Sequence, residues 1–175
     1  LLDAGKKLID LSADFRLKNP DAYKKWYGVD TSAGLLSEAV YGLPEVYRSA
    51  IKNARLIANP GCYPTGAILA LMPLVRGGYI DGGKGSIIID SKSGVSGAGR
   101  HASIDNSFVE VWGGFKAYKI GSHRHTPEME QELSSLAGAS LEVTFTPHLL
   151  PVSRGILTTA YARLSKTISG KEINK

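Results

Sequence analysis

The stretch ARLIANPGCYPTGAILALMPLV, residues 54–75, decides the fold of this chain. Its apolar residues 56–58 predict a short strand, and residues 59–61 predict a turn, because asparagine, proline and glycine favour turn geometries. Residues 65–75 are apolar and rich in good helix formers, and the pattern stops near a pair of glycines. The stretch therefore predicts a strand, a tight turn and a buried helix in direct succession.

Cys62 lies between this turn and this helix, and it is the only cysteine of the chain. A helix N-terminus presents unpaired N–H groups and a partial positive charge, which stabilise a thiolate and can hold a developing oxyanion. The position therefore predicts a nucleophile. The alternative is an inert, buried thiol, which is the commoner state of a lone cysteine.

A nucleophilic cysteine needs a base within hydrogen-bond reach, and His123 and His125 are the candidates. We expect residues 111–125 to form a strand, a turn and a second strand, so that both imidazoles lie on one face. Thr126 is then the expected N-cap of the helix that follows. Two ordinary polar histidines at a strand end remain an alternative, as does a zinc site that adds Cys62, although no second closely spaced ligand pair supports a metal.

The stretch SGVSGAGR, residues 93–100, predicts a glycine-serine loop after a buried strand at residues 87–89. Small residues let the backbone approach a ligand closely, and successive N–H groups can bind an anion or an amide. The spacing does not match the dinucleotide fingerprint, so an ordinary flexible turn remains an alternative.

Other segments complete the pattern. Residues 8–11 predict a short buried strand that ends in a polar loop, and residues 20–28 predict one or two helical turns. Two β-rich runs with alternating polarity, residues 139–152 and 153–164, predict strands that are neighbours in one sheet.

Four arginines adjoin turn signals, and a guanidinium pairs well with a carboxylate or a phosphate. Together with a serine in the polar loop, they form the candidate set for an anionic substrate: Ser12, Arg16, Arg100, Arg124 and Arg154. Each arginine alone is also compatible with an ordinary surface position.

The composition excludes several classes of protein. With 43% hydrophobic and 21% charged residues, the chain is typical of a soluble globular protein, and it has no apolar run long enough to span a membrane. The N-terminus lacks the pattern of a signal peptide, and one cysteine cannot form an internal disulfide, which fits a reducing compartment. The net charge of +5 is scattered rather than clustered, so nucleic-acid binding has little support.

Six stretches occur in one order and cover nearly the whole chain: DLSADFRL (10–17), YGLPE (41–45), NPGCYPTGAILAL (59–71), SGVSGAGR (93–100), HRHTPEMEQEL (123–133) and PVSRGIL (151–157). With them the chain resembles the N-acetyl-gamma-glutamyl-phosphate reductase family, and it is more distantly similar to aspartate-semialdehyde dehydrogenases. The combination of NPGCYPT with HRHTPE is the most specific part of the resemblance.

The resemblance implies an α/β fold with mixed sheets. Residues 1–60 would be the end of a Rossmann-type nucleotide-binding domain, and residues 61–175 a catalytic and dimerisation domain of the glyceraldehyde-3-phosphate dehydrogenase type, incomplete at its C-terminus. The family begins with a glycine-rich Gly-x-x-Gly turn that binds the cofactor phosphates, and no such turn stands at the start of this sequence. We therefore expect an internal segment of an enzyme about twice as long, which does not bind NADPH with normal affinity by itself.

The resemblance also implies a reaction, the NADPH-dependent reduction of N-acetyl-gamma-glutamyl phosphate to the semialdehyde, through a thioester on Cys62, in arginine biosynthesis. It implies no metal, a homo-oligomer (dimer or tetramer), no nucleic-acid or membrane partner, and a cytoplasmic enzyme, with organelle import of a full-length chain also compatible. His125 is favoured as the acid/base by its place before a helix, and His123 is the alternative. The implied cofactor-binding residues are Pro60, Ser93, Gly94, Ser96 and Gly97, and the implied substrate-binding residues are the serine and arginines named above.

Two other functions remain open from the residues alone. A cysteine-dependent hydrolase or acyltransferase would use Cys62 and His125 without a hydride step, and it would turn over without nicotinamide. A non-catalytic binding domain would keep Cys62 packed, and its thiol would react no faster than free cysteine.

Overall fold

The computed structural model describes residues 1–99 and 103–170. The chain forms two compact units, Leu1–Thr65 and Gly66–Lys175. The helices are α1 (Pro20–Tyr27), α2 (Ala33–Leu36), α3 (Pro44–Asn53), α4 (Cys62–Arg76), α5 (Phe108–Val111) and α6 (Thr126–Ala137). The strands are β1 (Leu8–Asp10), β2 (Val40–Tyr41), β3 (Leu56–Ala58), β4 (Ile87–Ser93), β5 (Lys116–Ala117), β6 (Val143–Leu149) and β7 (Ile156–Ala162).

The first unit is built on a three-stranded parallel sheet in the order β1-β3-β2. The central strand β3 is fully buried at Leu56 and Ala58. The strand expected at residues 8–11 is present, but the expectation that it is buried is wrong, because β1 is an edge strand of the described sheet and Ile9 is 62% exposed.

Local sequence explains the helices of the first unit. The side chain of Asn19 accepts hydrogen bonds from the N–H groups of Asp21 and Ala22, which caps α1, and Gly28 ends it at a φ of 75°. The prediction of one or two helical turns is confirmed, since α1 spans eight residues. Residues 35–48 showed no clear period in the sequence, yet they contain β2 and the start of α3. Short elements of this kind carry too few residues for a periodic signal.

Residues 54–75 fold as predicted, except that the helix begins earlier than expected. The strand lies at residues 56–58, and the helix begins at Cys62, one turn before the apolar run. The N–H group of Thr65 donates to the carbonyl of Gly61 at 3.0 Å, so the helical hydrogen bonds already include this first turn. Pro64 fits there because the first helical turn needs no N–H donor within the helix.

The second unit is built on a mixed four-stranded sheet in the order β5-β6-β4-β7. Strand β4 pairs with β6 in parallel and with β7 in antiparallel orientation, so that Ile87 lies opposite both Val143 and Ala162. The two β-rich runs therefore share a sheet as predicted, but the prediction that they are neighbours is wrong. Pairing over all seven residues makes β4 longer than the three residues expected from its apolar centre.

One face of this sheet carries the core of the second unit. Ile87, Ile89 and Phe145 alternate with more exposed residues along β4 and β6, and each is at most 4% exposed. Helix α6 packs against β6 and contributes Met129 and Leu133, which are fully buried. This packing fixes the start of α6, where the two candidate histidines lie.

The two units together combine a parallel sheet, a mixed sheet and helices, which confirms the predicted α/β class with mixed sheets. Among residues 1–99 and 103–170, no helix has the length and apolar character needed to cross a bilayer.

Candidate active site

Cys62 is the first residue of α4, and its side chain is exposed to solvent. The thiol therefore stands at the opening of a helix, where N–H groups and the helix dipole favour negative charge. Its exposure argues against the alternative in which this cysteine is simply packed in a core.

Three main-chain groups of the turn before Cys62 are hydrogen-bonded. The N–H group of Asn59 donates to the carbonyl of Asp10 at 2.8 Å, and the carbonyl of Asn59 accepts from Nε of Arg16 at 2.7 Å. The side-chain amide of Asn59 donates to the carbonyl of Pro60 at 3.2 Å. The turn is thus tied on one side to the end of β1 and closed on itself on the other.

Arg16 was expected to bind substrate, and the structure places it against the backbone. It is 8% exposed, and its Nη2 donates to the carbonyl of Leu11 at 3.1 Å in addition to the bond that Nε makes with Asn59. The Ser12 hydroxyl, another expected substrate contact, donates to the Asp10 carboxylate at 2.7 Å and accepts from the Asp14 N–H group at 3.2 Å. Ser12 itself is exposed.

The segment that leads to the histidines differs from the prediction. Instead of a strand, a turn and a strand, residues 111–125 contain the end of α5, the two-residue strand β5 and a series of turns. His125 has helical dihedral angles, φ −81° and ψ −11°, and its carbonyl accepts the N–H group of Met129 at 3.1 Å. His125 is therefore the N-cap of α6, and the expectation that Thr126 caps this helix is wrong.

The two imidazoles meet at a local turn and not on the face of a strand. Their ring centroids lie 4.9 Å apart, and the N–H group of His125 donates to Nδ1 of His123 at 3.2 Å. The His123 ring also packs edge-on against Phe145 at 5.2 Å and against Tyr118 at 5.7 Å. His123 is 9% exposed, whereas His125 is only partly buried.

This environment fixes the charge of His123. Burial, together with the positive charges of Lys119 and Arg124, lowers its pKa to about 4. The ring is therefore neutral near pH 7, and because Nδ1 accepts a hydrogen bond, its proton belongs on Nε2.

The backbone of the glycine-serine loop is occupied by bonds within its own unit. Residues 95–98 form a short 3-10 helix. The N–H groups expected to bind a ligand donate instead to the turn before β7, in the bonds Gly94 to Gly155 at 2.9 Å, Val95 to Val152 at 2.9 Å and Ser96 to Ser153 at 3.1 Å.

Internal packing also accounts for the two central glycines of this loop. A Cβ at Gly94 would lie 2.7 Å from the backbone nitrogen of Arg154, and a Cβ at Gly97 would lie 2.8 Å from Oγ of Ser93. Of the five implied cofactor contacts, Pro60, Ser93 and Gly94 are buried, and Ser96 and Gly97 are exposed.

The remaining arginines fall into two groups. Arg124 and Arg154 are exposed, with Arg124 between the two histidines and Arg154 beside the glycine-serine loop. Arg100 lies outside the described residues.

Sequence reasoning missed a buried carboxylate three residues after His125 in the chain. Glu128 lies in the first turn of α6 and is fully buried, whereas Glu130 on the same helix is only partly buried. The sequence indicates only that both glutamates favour the positive end of the helix, because sequence alone does not show which face of a short helix meets the core. In the part of the chain that the structure describes, no three His, Cys, Asp or Glu side chains form a group that could hold a metal ion.

Comparisons with known proteins identify the two segments of the chain. The family model described as the dimerisation domain of semialdehyde dehydrogenases matches residues 62–175. The model described as the NAD binding domain of semialdehyde dehydrogenases matches residues 1–54.

Curated relatives carry one name. A protein of Syntrophobacter fumaroxidans named N-acetyl-gamma-glutamyl-phosphate reductase is 57% identical over 174 residues, which are 99% of this chain and 50% of that protein. A protein of Pelotomaculum thermopropionicum with the same name is 59% identical over 172 residues, 98% of this chain and 49% of that protein. The resemblance predicted from the motifs is confirmed, and the chain spans about half the length of the curated relatives it matches.

Solved structures show the same fold. Aspartate semialdehyde dehydrogenase II of Vibrio cholerae, in complex with ASA, aligns with a TM-score of 0.70 at 18% identity, over 98% of this chain and 52% of that one. Aspartate semialdehyde dehydrogenase of Candida albicans, solved with NADP, aligns with a TM-score of 0.59 at 14% identity, over 98% and 48%. At these identities the likeness concerns the fold alone.

Proposed function

This chain belongs to the semialdehyde dehydrogenase family, and from that premise we propose that it is the part of an NADPH-dependent N-acetyl-gamma-glutamyl-phosphate reductase that carries the nucleophile. The observation that carries the proposal is the exposed thiol of Cys62 at the first position of α4. The shared name of relatives that are 57% and 59% identical supports the substrate. The reaction would serve arginine biosynthesis.

In the first step the Cys62 thiolate attacks the carbonyl carbon of the acyl phosphate. A carbon–sulfur bond forms, the bond from the carbonyl carbon to the phosphate oxygen breaks, and inorganic phosphate leaves. The positive end of α4 stabilises both the thiolate and the oxyanion of the tetrahedral intermediate. The hydrogen-bonded turn before Cys62 keeps the sulfur at this helix end.

When bound, the nicotinamide cofactor supplies the hydride that reduces the thioester. Ser96 and Gly97 fit a contact with it, because both are exposed and together offer a hydroxyl group and a surface without a side chain. Pro60, Ser93 and Gly94 are buried, so we assign them the support of the backbone around such a contact.

We assign the acid/base role to His125. It gives a proton to the oxyanion that hydride addition leaves on the thioester carbon. It takes that proton back as the carbon–sulfur bond breaks, which releases the semialdehyde and restores the Cys62 thiolate. His123 remains the alternative, but its lowered pKa of about 4 and its packing against Phe145 favour a structural role for it.

The exposed cations suit the anionic substrate. Arg124 and Arg154 offer guanidinium groups for the phosphate and the carboxylate, and we keep Ser12 and Arg100 as further candidates. The dimerisation-domain match supports a homo-oligomer, dimer or tetramer. We further propose a cytoplasmic enzyme, as suits a soluble biosynthetic reductase with a free thiol.

The test is to mix the complete protein that contains this chain with N-acetyl-gamma-glutamyl phosphate and to follow NADPH absorbance and phosphate release together. We expect one NADPH oxidised for each phosphate released, and no reaction after alkylation of Cys62. Phosphate release without NADPH oxidation would instead identify a cysteine hydrolase, and no release of either kind would identify a binding domain.

A further inference from the structure

The loop that follows β1, residues 11–16, is held at its centre by Asp14. The phenol of Tyr23 donates to Oδ1 of Asp14 at 2.6 Å, and the hydroxyl of Thr31 donates to the carbonyl of the same residue at 2.6 Å. The main-chain N–H group of Asp14 donates to the Ser12 hydroxyl at 3.2 Å. The side chain, the carbonyl and the N–H group of this one residue are therefore all hydrogen-bonded, although Asp14 is exposed.

Tyr23 is the buried member of this set of contacts. It lies in α1, is 3% exposed, and stacks on Tyr27 with ring centroids 4.5 Å apart and ring planes 9° apart. The helix and the stack fix the position of the phenol oxygen, and a phenol–carboxylate bond of this length is charge-assisted and strong. Because Asn19 caps α1, the helix is itself well anchored at its N-terminus. Tyr23 therefore pins an exposed loop residue to a capped helix.

Loop 11–16 lies at the end of the sheet where ligands bind in open α/β folds, outside the carboxyl ends of the strands. Because β1 and β3 are parallel, this loop and the turn that leads to Cys62 leave the sheet at the same end. The N–H group of Asn59 in that turn donates to the carbonyl of Asp10, which joins the two connections directly. The loop also carries Ser12 and Arg16, two of the residues that the resemblance implies for the anionic substrate.

We propose that Tyr23 is a positioning residue for substrate binding: through its bond to Asp14 it holds loop 11–16 in the conformation that meets the acyl phosphate. The inference rests on the proposed function, which supplies the substrate. Tyr23 acts through the loop and does not itself touch the substrate, because it is buried in α1. A loop that is fixed before binding loses less conformational freedom when the ligand arrives, so loosening it weakens affinity more than it slows the chemical step.

The experiment compares Tyr23→Phe, Asp14→Ala, Asp14→Asn and the double variant Tyr23→Phe/Asp14→Ala in the complete protein. The matched control is Tyr79→Phe, which also removes one phenol hydroxyl but lies in the second unit. Two quantities are measured near neutral pH: kcat and KM for the acyl phosphate, and main-chain hydrogen exchange at residues 11–17, followed by peptide mass spectrometry. Thermal unfolding of each variant verifies that the protein is folded.

We expect Tyr23→Phe to raise KM for the acyl phosphate by about 5–20-fold, because a hydrogen bond to a charged group is worth about tenfold or more. Its kcat should stay within about threefold, and exchange at residues 11–17 should become faster. Asp14→Asn should have a smaller effect than Asp14→Ala, since its amide oxygen still accepts from the phenol. The double variant should be no worse than Asp14→Ala alone, because the two side chains act as one unit. Tyr79→Phe should alter neither quantity.

An unchanged KM in Tyr23→Phe would overturn the proposal and leave the hydroxyl a role in stability only, and so would effects of Tyr23→Phe and Asp14→Ala that multiply in the double variant. If Asp14→Ala does not fold, Tyr23→Phe decides alone, because it keeps the ring and its stack on Tyr27. The exchange measurement needs no turnover. If the complete protein proves not to be a reductase, unchanged exchange in Tyr23→Phe still overturns the positioning of the loop, and faster exchange still supports it.

Discussion

The turns that precede α4 and α6 carry the candidate catalytic residues, and they are held in different ways. The turn before α4 is tied to β1 and to Arg16, which lie more than 40 positions away in the sequence. The turn before α6 is held by its own residues, since His123 accepts the N–H group of His125 through Nδ1. The main-chain groups of Asn59 in the first turn are thus bonded to a distant segment, whereas the hydrogen bond described in the second turn joins residues two apart.

The two turns also differ in which of their candidate catalytic side chains remain exposed. In the first turn the contacts leave the exposed reactive group, Cys62, outside the hydrogen-bonded frame. In the second turn His123 is buried and accepts a hydrogen bond, so that of the two histidines only His125 remains partly exposed. The residue that opens α4 is thus exposed, whereas the turn before α6 uses an imidazole as part of its support.

The largest expected effect concerns the side chain presented by the first turn. Cys62→Ser in the complete protein should lower kcat by at least about 10⁴-fold, because the variant lacks the sulfur nucleophile. The measurement is NADPH oxidation in the presence of the acyl phosphate, with NADPH binding as the control that should not change. Activity above a few per cent of the unaltered protein would exclude a covalent thioester route.

The second prediction separates the two histidines of the other turn. His125→Asn should lower kcat by about 10²–10⁴-fold, the usual contribution of a general acid/base. His123→Gln should keep kcat within about tenfold at neutral pH, because the neutral His123 ring supports the turn and transfers no proton. Steady-state kinetics of both variants measure this, and the reverse order of effects would assign the acid/base role to His123.

The third prediction tests how tightly the chain packs around the end of β3, which leads into the first turn. A Cβ at Gly42 would lie 2.9 Å from Cγ2 of Ile57 and 3.1 Å from the carbonyl oxygen of Ala58. We expect Gly42→Ala to lower the free energy of unfolding by about 1–3 kcal/mol, as overpacking usually does. Urea denaturation measures this change.

Gly34→Ala is the matched control, since beyond its chain neighbours and the backbone of its own helix no described atom lies within 4 Å of its Cβ position. It should be neutral or stabilising by up to about 1 kcal/mol, because alanine is the better helix former. Equal effects of the two substitutions would show that the turn tolerates displacement.

The smallest expected effect is a pH dependence that arises from the second turn. The pKa of His123 is lowered from 6.5 to about 4 in the folded chain, so between these values the unfolded chain binds a proton that the folded chain does not. Stability from this group is therefore complete above pH 6.5 and is lost as the pH falls toward 4.

We expect His123→Gln to remove this dependence, so that the unaltered protein loses about 1–2 kcal/mol more than the variant on acidification. Urea unfolding of both proteins near the two ends of this pH range measures the difference, and other titrating groups cancel in the comparison. Parallel pH profiles would show that His123 is accessible to protons in the folded state.

Local sequence signals predicted much of the fold. Residues 56–58 form the expected strand, and Cys62 lies at a helix opening. The failures concern pairing and burial. β6 and β7 are not adjacent because β4 lies between them in the sheet. This order is set by pairing between strands that are far apart in the chain, which local sequence does not show.

The candidate site shows the same division. The sequence singled out Cys62, both histidines and the arginines from their residue types, because nucleophiles, bases and cations are recognisable as chemistry. It placed the histidines on a strand, since alternation cannot be told from a turn over three residues, and it could not show that Arg16 donates to main-chain carbonyls, because those partners are distant in sequence.

By itself, then, the sequence determined the chemical groups that this protein carries and the local turns and helix ends that present them, because dihedral preferences act over a few residues. The tertiary structure decided which of those groups are available. It buried His123 and Glu128 and exposed Cys62, and it turned Arg16 toward the main chain. The physical reason is that burial and hydrogen bonding to the backbone depend on segments that meet only once the chain has folded.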